Sequence, residues 1–371
     1  MIRDRRTVIG MLLRVAGLFV ALNAAFALVN PVPALGNLSL YNVVFPGRLR
    51  LPYGDDPARA YNLSLFDLNA MFASHAVAWA KPADEYRVLL IGDSSTWGWF
   101  LDNEDTLAGR LNAKQMRAPD GRKLRVYNLG YPIMSLMKDA LMLDHAMQYQ
   151  PDMIVWPVTL ESFPSAKQLS HPIVQNNAPA IRSLIARYSL RADPNDPTFV
   201  DPTLLQRTIA GQRRALADWF RLQVFGALWG ATGVDQYIPE EYEPAQRDLE
   251  ADEHFHAMKP PALNEGDLAF DVLDAGLAIA GDVPVLVVNE PILISAGQNS
   301  DVRYNFFYPR WAYDQYRRML TDHMAQSGRP FLDVWDVVPE REFTNSAVHV
   351  TPKGSAMLAD SIALEIQRMF Q

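Results

Sequence analysis

The sequence predicts an α/β fold, a three-layer sandwich with a central parallel sheet, with an N-terminal transmembrane helix in front of it and a helical insertion within it. Three observations lead there. From Arg87 to the C-terminus short apolar runs alternate with segments of helical period, the pattern of parallel strands covered by helices on both faces. An apolar segment, Val8 to Val29, follows Arg3, Arg5 and Arg6. A stretch from roughly Glu161 to Asn264 is too long for a simple connection and reads as a cap or a partner-binding element.

The elements divide the chain into three parts. Residues 1–30 form a membrane anchor: Val8 to Val29 is long enough for one bilayer crossing, and Arg14 lies near enough to the cytoplasmic interface to snorkel. The flanking arginines place the N-terminus inside and the main domain outside, in the periplasm. A cleaved signal peptide is the competing reading, because Ala25-Phe26-Ala27 has small residues at peptidase spacing, but the apolar segment exceeds a usual signal core. Residues 31–85 form a membrane-proximal extension, helical in pattern from Leu65 to Trp79. Its segment Tyr41 to Arg50 suits either a strap near lipid headgroups or an ordinary extension packed on the domain.

Residues 86–371 form the main domain, with the insertion at about 161–264. Strands are expected at Arg87–Ile91, Leu124–Asn128, Met153–Val158, Val283–Val288 and Phe331–Val334. Helices are expected at Asp105–Gln115, Leu136–Gln148, Leu268–Ala280, Trp311–Ser327 and Gly354–Phe370. Inside the insertion Leu204 to Trp229 is helical in pattern and its second half is aromatic, which fits a packed cap helix or a face turned to a membrane or partner.

Composition excludes several classes. A net charge of -8 with no basic stripe argues against nucleic acid as a partner. The absence of cysteine removes disulfides, thiolate metal sites, a thiol nucleophile and a lipidated cysteine. No cofactor is implied.

Chemistry is concentrated in two segments. In Arg87 to Gly98 an apolar strand stops at Gly92-Asp93-Ser94 and a helix-like segment follows, so Ser94 should be lifted above the sheet on a tight turn whose N-H groups can face an oxyanion. In Phe343 to Gly354, His349 precedes a Thr351-Pro352 helix start, on a loop from which a general base could reach a serine at the strand end.

With these two segments the chain resembles the SGNH, or GDSL-like, hydrolase and acyltransferase superfamily over about Arg87 to Met369, which implies an SGNH/flavodoxin-like sandwich and ester chemistry. The resemblance implies that Ser94 is the nucleophile and His349 the base. It also implies that Gly130, in Tyr127-Asn128-Leu129-Gly130-Tyr131-Pro132, joins the Ser94 N-H as an oxyanion donor. The chain departs from the pattern twice. Thr159-Leu160-Glu161 stands where the family has a Gly-x-Asn oxyanion asparagine, and Ser346, with Asn345 before it, stands where the family has its acid. Asn345, Ser346, Glu161 and Glu290 are the candidates for orienting the imidazole or supplying an acid, and a neutral orienter is expected.

Other residues invite attention. His254-Phe255-His256 has a chelating spacing but no third ligand, so no metal site is expected. Glu290, at the end of a strand, should sit on the functional edge of the sheet. Arg303 to Arg310 could line a sugar cleft or pack as a cap. The expected function is serine-dependent O-acyl, most simply acetyl, transfer on an exported cell-envelope glycan. An esterase or lipase acting on an acyl ester, or a non-catalytic accessory subunit, are the alternatives. The resemblance further implies a multi-span membrane acyltransferase as partner.

Overall fold

The computed structural model describes residues 5–45, 47–53, 67–232, 241–264 and 266–371. Helix α1 (Arg5–Val29) is long and apolar enough to cross a membrane, and only Asn23 and Ala27 of its side chains are buried. Two short helices follow, α2 (Val32–Gly36) and α3 (Leu40–Val44), then α4 (Leu68–Ala73). The helix expected at Leu65–Trp79 is therefore shorter, with Leu65 and Phe66 outside the described residues. A 3-10 turn, Ala76–Ala78, follows it, capped by the His75 ring accepting from Val77 N-H at 3.1 Å.

The main domain then runs β1 (Glu85–Gly92), α5 (Ser94–Trp97), α6 (Leu107–Ala113), β2 (Lys123–Gly130), α7 (Leu136–Ala146) and β3 (Met153–Val158). The insertion contributes α8 (Pro172–Asn176), α9 (Ala178–Tyr188) and α10 (Arg213–Thr232). The domain closes with α11 (Phe270–Ala280), β4 (Val285–Asn289), α12 (Arg310–Ser327), β5 (Phe331–Asp333) and α13 (Pro352–Met369). All five strands are parallel, in the order β2-β1-β3-β4-β5, a flavodoxin-like doubly wound sheet.

Strand alternation builds two cores. Val88 and Leu90 of β1 pack with Val126, Val155 and Leu286 under α6 and α13, while Leu89 and Ile91 pack with Leu129, Ile154, Trp156 and Val287 under α7, α11 and α12. Gly276 lets α11 lie directly on β3, because a Cβ there would overlap the Trp156 ring.

The insertion differs from its sequence reading at one point. The helix expected from Leu204 begins only at Arg213, because polar side chains hold residues 203–212 in turns. Thr203 N-H donates to Gln206 Oε1 at 2.7 Å, and Thr208 Oγ1 both donates to Leu205 O at 2.7 Å and accepts from Gly211 N-H at 3.0 Å.

Candidate active site

The carboxyl edge of the sheet carries the titratable groups. At the end of β1, Gly92 lies so close to α5 that a Cβ would overlap the Thr96 side chain, so the turn can be this tight only with glycine. Asp93 caps α5 by accepting from Ser95 N-H at 2.8 Å, and this fixes Ser94 as the first residue of the helix. The Ser94 N-H has no acceptor among the described residues.

The loop before α13 is closed on itself. Phe343 and Val350 form an antiparallel bridge, Thr344 N-H donates to His349 O at 2.9 Å, and Thr351 caps α13 by accepting from Gly354 N-H. That closure brings Asn345 and His349 side by side on one rim of the loop. His349 Nε2 lies 2.7 Å from Ser94 Oγ, and His349 Nδ1 lies 2.7 Å from Asn345 Oδ1. Since Asn345 Oδ1 can only accept, Nδ1 carries the proton and Nε2 presents its lone pair to the serine hydroxyl.

Burial lowers the His349 pKa to about 4, against a smaller upward pull from Asp93, so the imidazole is neutral at pH 7. Trp99 stacks on it, with ring centroids 6.1 Å apart and planes 23° apart, and Trp99 N-H donates to Ser94 O at 3.1 Å. Ser94 and His349 are each only 9% exposed, which leaves a narrow approach to the hydroxyl.

The remaining candidates lie elsewhere. Ser346 makes no bond to the imidazole, because the bridge that shapes the loop turns Asn345 toward it instead. Glu161 is tied to the insertion: it forms an ion pair with Lys167 and accepts from His256 Nε2 at 2.8 Å, and these partners hold its pKa down against burial. It is therefore not an acid for His349. Glu290 does reach the carboxyl edge of the sheet, but it accepts from Ser95 Oγ rather than touching His349. Burial, reinforced by the field of Asp93, raises its pKa well above the usual carboxyl range.

Gly130 also departs from expectation. A Cβ would overlap Trp97 N, so the glycine permits close approach of β2 to α5, but its N-H donates to Asn128 Oδ1 at 3.1 Å and is not free. Sequence reasoning missed Ile133 in the turn that follows. This β-branched residue has φ 72°, a left-handed conformation that costs on the order of 1–3 kcal/mol. Two buried side chains hold it there: Lys138 Nζ donates to Tyr131 O at 2.7 Å and the His171 ring bonds Pro132 O at 2.9 Å. The Ile133 N-H, like that of Ser94, has no acceptor among the described residues. A glycine there would have signalled the turn in the sequence; isoleucine conceals it.

His254 pairs with Asp252 and His256 with Glu161, and no cluster of three metal-ligating side chains occurs among the described residues. Arg303 to Arg310 is mostly core: Tyr304 and Tyr308 are buried, and the Arg303 guanidinium ties down the carbonyls of Asp252, His254, Asn305 and Phe306.

No family model and no curated protein matches the chain. Among solved structures it is similar to Est24, a carbohydrate acetylesterase from Sinorhizobium meliloti, at 12% identity and a TM-score of 0.35 over 76% of this chain and 99% of that one. It is similar to the M. smegmatis aryl esterase at 14% identity and a TM-score of 0.35, over 76% and 98% of the two chains. It is also similar to a lipase/acylhydrolase from Enterococcus faecalis at 13% and 0.38, over 76% and 96%.

Proposed function

We propose that the chain is an SGNH-like serine enzyme that transfers an O-acyl group, acetyl in the simplest case, to an exported cell-envelope glycan. One observation carries the reading: a neutral, buried imidazole stands 2.7 Å from a turn serine, with its other nitrogen held by an acceptor-only amide oxygen. In this reading Ser94 Oγ attacks the acyl carbonyl carbon while its proton passes to His349 Nε2. The tetrahedral oxyanion takes the Ser94 N-H, and the Ile133 N-H is a second donor at the same sheet edge that lacks an acceptor among the described residues. Collapse expels the donor alcohol, which leaves with the proton from His349. An acceptor hydroxyl then attacks the acyl-serine, gives its proton to Nε2 and departs as the new ester. The proton finally returns to Ser94.

The narrow approach to Ser94 favours a short acyl group, and Trp99, half-buried next to the imidazole, puts an aromatic side chain where an acceptor sugar would come in. Tethering through α1, with the domain on the periplasmic side, would keep the enzyme beside nascent envelope polymer and beside a multi-span acyl donor protein. The test is to incubate the purified chain with 4-nitrophenyl acetate, with and without acetyl-free envelope oligosaccharide. Acetylated oligosaccharide, with nitrophenol release accelerated by the acceptor, is expected. Release that ignores the acceptor would make the protein an esterase, and no release by a protein that also resists serine-directed reagents would make it an accessory subunit.

A further inference from the structure

The insertion is far from α1 in sequence but touches it in space. Ala210 N-H donates to Asn23 Oδ1 at 3.1 Å, and Gln212 Nε2 donates to Asn30 Oδ1 at 3.1 Å. Asn23 lies seven residues before Asn30, about 10 Å lower along α1 at a rise of 1.5 Å per residue. A bilayer spanned by α1 up to Val29 therefore cannot avoid the turn at residues 204–212, which descends beside the helix. That turn is apolar where it is exposed: Leu204 is 59% and Leu205 78% open.

Helix α10 continues the same surface. One side of it is committed to the membrane-proximal helices: Trp219 Nε1 donates to Leu35 O at 2.8 Å, Gln223 bonds Leu38 O and Leu40 N-H, and Gly226 packs against Tyr41. On the other side Phe220, Val224 and Leu228 recur at four-residue spacing and stand exposed. Arg214 and Arg221, both ion-paired to Asp218, run along the border of this stripe. An apolar stripe with a basic border, continuous with a candidate membrane span, has the chemistry of an interfacial helix.

We propose that the turn at 204–212 and the open face of α10 form a second membrane contact, immersed in the outer leaflet beside α1, which holds the domain at a fixed attitude to the lipid surface. The proposal rests on α1 crossing the membrane, and its occupant is lipid rather than a protein partner. Burial of the stripe removes apolar surface from water, while Asn23 and the Ala210 N-H satisfy each other and so avoid the cost of an unpaired polar group in hydrocarbon.

Because the chain has no native cysteine, single probes can be read without background. The experiment places an environment-sensitive fluorophore at Leu18→Cys in α1, at Leu205→Cys, at Val224→Cys and at Leu364→Cys on α13. Each full chain is reconstituted in vesicles of phosphatidylethanolamine and phosphatidylglycerol containing doxyl-labelled lipid. Quenching at Leu18, Leu205 and Val224, with none at Leu364, is the expected result. Quenching at Leu18 alone, with Leu205 and Val224 open to aqueous iodide, overturns the second contact and leaves the anchor standing. Absence of quenching at Leu18 would remove the anchor itself.

Discussion

The two ends of the sheet both bury charge, and they do so to opposite ends. At the amino end Arg87 is 2% exposed and fully engaged: Nε donates to Glu85 Oε1 at 2.6 Å, and the other nitrogens donate to the carbonyls of Val77, Trp79 and Tyr149. Tyr127 OH completes the set by donating to Glu85 Oε2 at 2.9 Å. One cation meets one acid, and the pair ties the extension before β1 to the body of the domain. At the carboxyl end Lys138 is surrounded by three acids, Asp93, Asp139 and Glu290, and spends two of its bonds on the carbonyls of Gly92 and Tyr131. Glu290 Oε1 has no partner among the described residues. Burial, reinforced by Asp93 and Asp139, raises the Glu290 pKa, while the charge of Asp93 pulls the His349 pKa up against burial. A balanced buried pair holds a fold together; an unbalanced one prepares a site.

The sharpest break between the ends should come from Ser94→Ala and His349→Ala. Each is expected to lower turnover of an activated ester by about 10⁴-fold or more, while thermal unfolding stays within a few degrees of the parent. Arg87→Leu should do the reverse. It strands Glu85 in the interior and should cost about 3–5 kcal/mol in urea unfolding, with the rate per folded molecule unchanged. If Arg87→Leu instead abolished activity in a protein of native stability, the division between the ends would fail.

Much of this was legible in the sequence where patterns are long. The five strands and their covering helices follow from alternation and period, because each run of apolar residues has one face to bury, and the structure moves their ends by only a few residues. Ser94 and His349 were legible because tight turns and helix starts constrain residue type locally. What was not legible depended on contacts between distant segments. Asn345 and Ser346 were equivalent candidates until the bridge between Phe343 and Val350 set which of them faces the ring. Glu161 was a candidate acid until Lys167 and His256 engaged it. Gly130 marked close packing, not a free donor, and nothing in the sequence indicated that Ile133 would adopt a left-handed turn.

Finer changes at the carboxyl end sharpen the same comparison. With the imidazole pKa lowered to about 4 by burial, the acid limb of kcat/KM should fall near pH 4 and not near 6.5, since the base is lost only below that point. Asn345→Asp places a carboxylate beside Nδ1, which stabilises the imidazolium; the limb should move up in pH and the rate at pH 7 should rise several-fold, about 1 kcal/mol. A pH-rate profile identical to the parent would mean that Asn345 does not act on His349. The smallest effect is expected from Ile133→Gly, which relieves the left-handed strain but adds freedom to the unfolded chain. A net gain of about 0.5–1 kcal/mol should appear in chemical denaturation.

Serine-directed labelling tests the central claim most directly. The full chain is treated at pH 7 with a fluorophosphonate, which requires a nucleophilic serine, and the adduct is located by peptide mass spectrometry. The Ser94–His349–Asn345 relay predicts one stoichiometric adduct, on Ser94, that disappears in Ser94→Ala and forms far more slowly in His349→Ala. Failure to label a folded chain, an adduct on another serine, or labelling of Ser94 that is indifferent to His349 would contradict it.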